Sequence, residues 1–203
     1  MAWEHLRSSY DAIARKYESR FLDELTGKPR DREILTTFSG SVSDPVVEIG
    51  CGPGQIGTFV RARGLRVVGL DLSSEMAGLA RRRLDGALVA DMRSLPFASD
   101  RLGGIVAFYS LIHLRRAELG AVLREFERVL RPGGHVLFSA HEGEGEVELE
   151  RFLDEPVPVA ATYFELDELV RTTEAAGFAV TRAERRAPYA DESTVRLYVE
   201  ATT

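Results

Sequence analysis

The chain has a single cysteine, Cys51, among 203 residues. No disulfide can close within it, and a reducing cytoplasm is its expected home. The same scarcity excludes an iron–sulfur cluster held by several thiolates and a cysteine-built zinc site, and nothing else in the sequence indicates a metal. Long apolar runs are also missing. The longest nearly uncharged stretch, Leu102 to Leu114, is too short to span a bilayer and contains a glycine pair and a histidine, so it reads as a buried strand. The opening MAWEHLRSSYDAIARKYESR lacks the apolar segment of a secretory signal, and no membrane association is expected. An excess of positive charge is absent too: 26 basic residues face 32 acidic ones, for a net charge of −6, and the arginines are scattered. A nucleic-acid partner is therefore disfavoured. The two basic clusters, Arg81-Arg82-Arg83 and Arg185-Arg186, read as solvated faces.

What is present is an ordinary globular composition, 44% hydrophobic and 29% charged, in a length that suits one domain. Trp3, Leu6, Tyr10, Ile13, Tyr17, Phe21 and Leu25 recur every three or four residues, which predicts one amphipathic helix ended by Thr26-Gly27-Lys28-Pro29. A second helix is expected from Arg30 to Phe38, stopping at Ser39-Gly40. From Pro45 onward strand-like runs at 46–49, 65–72, 87–91, 103–110 and 135–140 alternate with helix-like ones, which favours βαβ units and a parallel sheet, an α/β fold. A helix through Leu119, Val122, Leu123, Phe126, Val129 and Leu130 should be stopped by Pro132-Gly133-Gly134. Residues 141–161 are acidic and weakly periodic and read as an excursion over the sheet edge. A last helix stopped by Gly177 and two strands joined by a short link, hence antiparallel, close the chain.

The stretch PVVEIGCGPGQIG, residues 45–57, raises the question of ligand. Gly52 to Gly57 satisfies the G-x-G-x-x-G spacing of a dinucleotide site. Asp71, 21 residues after Gly50 (71 − 50), stands where an acid reaches a ribose diol, and this fits NAD equally well. Charge separates the readings. No lysine or arginine lies between 46 and 60, whereas Glu48, Asp71 and Asp91 are all expected at the carboxyl ends of the strands. Three carboxylates would repel phosphates and suit S-adenosylmethionine, which carries a sulfonium, an ammonium, a ribose diol and an adenine amine.

The motifs VVEIGCGPG, VVGLDLSSEM, VADMRSLPF, GGIVAFYSLIHL and RVLRPGGHVLFS, in this order, resemble those of the class I (Rossmann-like) S-adenosylmethionine-dependent methyltransferases, most closely the small bacterial UbiE-like small-molecule group. The resemblance covers about residues 8–200. It implies a doubly wound sheet of seven strands, order 3-2-1-4-5-7-6 with the last antiparallel, in a single domain. Residues 1–40 would form a helical lid, 45–140 the cofactor-binding core, and 141–203 the substrate-side excursion with the closing helix and strands. It also implies that Glu48, Gly50, Cys51 and Gly52 surround the methionine end and that Gly54 permits the helix start. Asp71 would hold the ribose hydroxyls and Leu72 the adenine, while Asp91 would accept from the adenine amine and Met92 donate its backbone N–H. N-terminal helices of this kind close over the cofactor, which gives Tyr10 and Tyr17 a second reading beside that of amphipathic core. Trp3 reads as packing or partner surface, and Cys51 has no nucleophilic role.

Tyr109, Ser110 and His113 follow the fourth strand, where donor and acceptor meet in this fold. His113, Tyr109 and, just past the fifth strand, His141 are the catalytic candidates; His5 and His135 are weaker. The expectation is in-line methyl transfer to a small-molecule acceptor, with a base needed only when the acceptor's own pKa is high. A nucleotide-binding oxidoreductase and a non-catalytic S-adenosylmethionine binder are the alternatives.

Overall fold

The computed structural model describes residues 2–203. The first helix, α1, runs Ala2–Phe21, shorter than its apolar stripe predicts: Leu25 lies on a separate 3-10 turn, Glu24–Gly27. Helix α2, Pro29–Ser41, starts one residue earlier than expected, because proline is well placed in a first turn, and passes through Gly40. Strand β1 is Val46–Ile49, followed by α3 Gln55–Arg61, β2 Val67–Asp71, α4 Ser74–Ala80, β3 Gly86–Val89 and β4 Leu102–Phe108. The run expected as a buried strand to Leu114 therefore turns after Phe108. Helix α5, Leu119–Val129, gives way to β5, Leu130–His141, with Leu130 already extended, so the helix ends before Pro132 is reached. The excursion holds an unforeseen hairpin, β6 Glu146–Leu149 and β7 Val159–Thr162, whose weak periodicity concealed it. Helix α6 Leu166–Ala175 and strands β8 Ala179–Arg186 and β9 Arg196–Thr202 complete the chain.

The main sheet has order β3-β2-β1-β4-β5-β9-β8. With the hairpin set aside this is the expected 3-2-1-4-5-7-6 arrangement. The first five strands are parallel, and β9 is antiparallel to both β5 and β8. Every residue of β1 and β4 is buried, as central parallel strands covered on both faces must be. One face is covered by α5 and α6, with Phe126, Phe138 and Phe164 fully buried; the other by α2, α3 and α4, with Phe38, Val60 and Tyr198. No helix among the described residues is long and apolar enough to cross a membrane.

Strand order reverses between β1 and β4, so the loops leaving their carboxyl ends diverge and open a crevice. Helix α1 lies across it. Its Asp11 Oδ1 accepts from Ser73 Oγ (2.6 Å) and the Glu75 N–H (3.2 Å) at the start of α4, while Glu18 pairs with Arg83 (2.7 Å) and Ser9 Oγ donates to the Pro158 carbonyl (2.6 Å).

Candidate functional site

The loop after β1 turns on Gly50 (φ 64°) and Gly52 (φ 51°), a left-handed backbone that side-chain-bearing residues rarely adopt. A Cβ at Gly50 would stand 2.3 Å from the Ser110 Cβ, which explains how closely this loop approaches the one after β4. The Gly52 N–H donates to Asp71 Oδ2 (2.8 Å) and the Ser73 N–H to Asp71 Oδ1 (2.8 Å), so the carboxylate at the end of β2 organises both neighbouring loops. Burial pushes the Asp71 carboxyl up to about 6 despite these donors.

Gly57 has a different task from the one its motif position suggests. Its N–H donates to Glu48 Oε2 (2.9 Å), and a Cβ there would sit 2.4 Å from that oxygen. The last glycine of the G-x-G-x-x-G spacing thus makes room for a buried glutamate.

These loops frame a cleft enclosing about 1020 Å³, open solvent at its mouth included. Tyr10, Tyr17, Gly50, Gly52, Asp71, Leu72, Asp91, Met92, Tyr109 and His113 all line it, so ten of the residues singled out in the sequence converge there. Glu48, Cys51, Gly54 and His141 do not line it. Glu48 and Cys51 are buried behind the loop, Gly54 packs against Ala80 and Leu84, and His141 lies behind Tyr109, stacked on its ring (centroids 5.4 Å apart, planes at 12°).

The expected wall of three anionic carboxylates is not what forms. Burial drives the Glu48 carboxyl well above its ordinary value, away from the cleft. Asp91 is clamped by the Arg93 guanidinium, Nε to Oδ1 at 3.0 Å and a terminal nitrogen to Oδ2 at 2.6 Å. Burial opposes the charged Asp91, but the Arg93 hydrogen bonds outweigh it and hold the carboxyl below its usual range. Arg7, Arg93 and Arg115 stand at the cleft wall too, so its charge is mixed and Asp71 is the carboxylate free of a cation.

Tyr109 occupies a left-handed conformation (φ 53°), an unusual state for an aromatic residue and one that marks functional loops. Its hydroxyl reaches Asp31 Oδ2 (3.3 Å) and the Tyr198 hydroxyl (3.2 Å). Behind it lies a buried network missed in the sequence. Asp31 is fully buried and pairs with Arg186 (3.1 Å), which grips Glu192 through two hydrogen bonds (2.7 and 2.9 Å). The reading of Arg185-Arg186 as a solvated face is corrected for Arg186, because alternation along β8 turns this second arginine inward. Arg83 likewise serves α1 rather than solvent alone.

His113 is held from two sides: Nδ1 lies 2.7 Å from the Ala160 carbonyl and Nε2 2.8 Å from the Tyr10 hydroxyl. Burial lowers its pKa below the ordinary 6.5. Burial, then the Arg196 charge, takes His141 down to about 3. Ser110 lines the cleft beside Gly50, and its Oγ is buried without a hydrogen-bond partner. Neither Asp11, Arg93 nor Asp31 carried a local signal. Ser73 did, since a serine ahead of an apolar run is an N-cap, and its Oγ accepts the Met76 N–H (3.1 Å).

A doubly wound sheet with a glycine loop, an acid ending the second strand and a ligand-sized cleft at the reversal point defines a Rossmann-like cofactor-binding domain. Comparison with known proteins sharpens this. Residues 46–134 match the family model described as a methyltransferase domain. An uncharacterized methyltransferase of Geobacillus kaustophilus is 29% identical over 140 residues, 68% of this chain and 64% of that protein. The malonyl-[acyl-carrier protein] O-methyltransferase of Yersinia pestis is 38% identical over 96 residues, 46% of this chain and 35% of that protein. The chain thus spans less than two thirds of the length of these curated relatives. Among solved structures, the Burkholderia thailandensis 1,6-didemethyltoxoflavin-N1-methyltransferase, with bound 1,6-didemethyltoxoflavin and S-adenosylhomocysteine, has a TM-score of 0.72 at 23% identity, covering 97% of this chain and 86% of that one. Magnesium protoporphyrin IX methyltransferase from Synechocystis, with bound S-adenosylmethionine, has a TM-score of 0.74 at 15% identity, covering 100% and 97%. At these identities the structural likeness is one of fold. Residues 46–134 thus match a methyltransferase domain, and the relatives and structural neighbours support the class I S-adenosylmethionine-dependent methyltransferase family.

Proposed function

We propose that this protein transfers a methyl group from S-adenosylmethionine to a small-molecule acceptor in the cytoplasm. The observation that carries the reading is the convergence, at the strand-order reversal, of a glycine cradle, an unpaired Asp71 carboxylate and the partnerless Ser110 Oγ. The residues present fit the donor. Asp71 suits the ribose diol and Leu72 and Met92 the faces of the adenine. Asp91 and the Met92 N–H suit the adenine edge, and Ser110 Oγ and the Gly50–Gly52 backbone suit the methionyl end. Glu48 and Cys51 support this end from behind, and Gly54 starts α3. The bound donor supplies an electrophilic methyl on a sulfonium.

What the protein contributes is placement. Tyr10 and Tyr17 on α1 close the cleft as its lid, and the 141–161 excursion backs it, holding His113 through the Ala160 carbonyl and Tyr10 through the Phe152 ring. Orientation of two reactants can remove about 7 to 11 kcal/mol of a barrier in favourable cases. His113 is neutral near pH 7 and stands as the base, Tyr109 as the wall between donor and acceptor, and His141 as the support of the Tyr109 ring. The net charge of −6 supports a small acceptor over a nucleic acid. Two structural neighbours have small molecules in their names, 1,6-didemethyltoxoflavin and magnesium protoporphyrin IX, which supports the same class.

Titration calorimetry tests the reading. S-adenosylhomocysteine is expected to bind and Asp71→Ala to abolish the heat; binding of NAD in its place would overturn it.

A further inference from the structure

The Tyr10–His113 contact contains more than proximity. A backbone carbonyl has no proton to give, so the 2.7 Å contact between His113 Nδ1 and the Ala160 oxygen places an N–H on Nδ1. A neutral imidazole carries one such proton. Nε2 is therefore a bare lone pair, and at 2.8 Å the Tyr10 hydroxyl must be the donor to it. With its proton committed to His113, Tyr10 Oη offers only lone pairs to the cleft that both residues line. The rings of Tyr17 and Phe152, with centroids 5.9 and 6.1 Å from that of Tyr10, meet it edge-on and hold its orientation.

Resting on the methyl-transfer reading, the geometry points to Tyr10 and His113 as a proton relay, and hence to an acceptor that reacts through a hydroxyl. The acceptor O–H bond breaks and its proton passes to Tyr10 Oη, as the Tyr10 proton passes to His113 Nε2. The electron pair released on the acceptor oxygen forms the bond to the methyl carbon. The carbon–sulfur bond breaks with its pair remaining on sulfur. The positive charge lost from sulfur reappears on the imidazole, so the site holds one positive charge before and after, which offsets part of the cost of charging a buried histidine. The imidazolium releases its proton to water once the products leave.

The relay discriminates among acceptors. A hydroxyl becomes an adequate nucleophile only as it loses its proton, which is what the relay provides. An amine attacks through its own lone pair and gains little, a thioether or tertiary amine has no proton to offer Tyr10, and a carboxylate would oppose its lone pairs to those of Oη.

Nitrogen NMR of the full chain with labelled histidine and bound S-adenosylhomocysteine tests the arrangement without an acceptor. With four histidines in the sequence, His113→Gln assigns the signal. The expected result is a protonated Nδ1 and a bare Nε2. Tyr10→Phe should raise the His113 titration point, since it removes a donor to the neutral ring. That variant should bind S-adenosylhomocysteine within threefold of the parent yet lose about 10²- to 10⁴-fold in turnover on a panel of phenols and alcohols, the range of acid–base assistance. A proton on Nε2, an unshifted titration in Tyr10→Phe, or methylation confined to acceptors without a hydroxyl overturns the relay. Failure of the parent to bind S-adenosylhomocysteine would overturn the methyl-transfer reading itself, whereas binding with the wrong tautomer overturns only the relay.

Discussion

The Gly52 N–H and Asp71 Oδ2 are joined at 2.8 Å, so the glycine loop of β1 is fastened to the acid that ends β2. Burying that acid has an electrostatic cost, which the hydrogen bond offsets only in part and which shows as a pH dependence. Asp71 has an ordinary value of 3.8 and a folded value of about 6, raised first by burial. Because the folded value is the higher, the native state keeps its proton longer, and stability falls as pH rises from about 4 through 6. A two-unit shift corresponds to about 3 kcal/mol at neutral pH, an upper figure for a partly solvated group. Thermal melts of the ligand-free protein against Asp71→Asn from pH 4 to 7.5 should show the parent losing ground to the variant over this interval. The variant should at the same time bind S-adenosylhomocysteine more than tenfold less tightly.

Asp91 and Arg93 form the second charge relationship at the cleft. The ion pair is half-exposed, so Arg93→Ala should change stability by less than about 1 kcal/mol. If Asp91 accepts from the adenine amine, Asp91→Ala should weaken S-adenosylhomocysteine binding about tenfold, a charge-assisted hydrogen bond of about 1.5 kcal/mol. Arg93→Ala should weaken it less than threefold. Calorimetry on the two variants separates a ligand role for Asp91 from a purely structural one, in which both substitutions would have equal and small effects.

Asp11 ties the lid to α4 through Ser73 Oγ and the Glu75 N–H. The tie adds to the packing of Ala14 against Met76 and Leu79 and to the Glu18–Arg83 pair, which keep α1 seated on α4, so its loss should be felt in local opening at the cleft more than in folding. Asp11→Ala is expected to lower stability by about 1 kcal/mol, as for other lost side-chain caps at a helix start. It should also speed S-adenosylhomocysteine dissociation several-fold, read by stopped-flow fluorescence of Trp3, the chain's one tryptophan, at the cleft wall. An unchanged dissociation rate would mean that α1 does not gate the cleft.

How much of this was legible in the sequence follows from the range of the interactions. Val46–Ile49 was legible because a buried parallel strand is a continuous apolar run, and Gly50 and Gly52 because a left-handed turn selects glycine. Asp71 was legible from its spacing alone. The Arg93 clamp on Asp91 was not, because nothing in a pair two residues apart says whether the arginine folds back or extends to solvent. Glu48 looked like a cleft carboxylate because alternation does not apply to a strand buried on both faces. The Tyr10–His113 contact joins residues 103 positions apart, and the hairpin β6–β7 that supplies the Ala160 carbonyl has too little periodicity to be seen.

Arg185 and Arg186 are adjacent in sequence and opposite in environment, which makes them a paired test of the buried network. Arg185 pairs with Glu142 at a half-exposed site, whereas Arg186 is 8% exposed and holds the buried Asp31 and Glu192, whose side chain is 3% exposed. Removing one member of a buried pair leaves the other charge without compensation, at a cost of about 3 to 5 kcal/mol; an exposed pair contributes about 0 to 1 kcal/mol. Denaturant unfolding should therefore show Arg186→Ala strongly destabilised and Arg185→Ala nearly unchanged. The double substitution Arg186→Met with Asp31→Leu should recover part of the loss, because it removes one of the two carboxylates left behind, while the other, Glu192, keeps Arg196 and Lys28 at 3.5 Å. Since Tyr109 reaches Asp31, that variant should also leave the Tyr109 hydroxyl with Tyr198 as its remaining partner and lower turnover without weakening S-adenosylhomocysteine binding. Equal destabilisation by the two single substitutions would show that the inward turn of Arg186 does not carry the network.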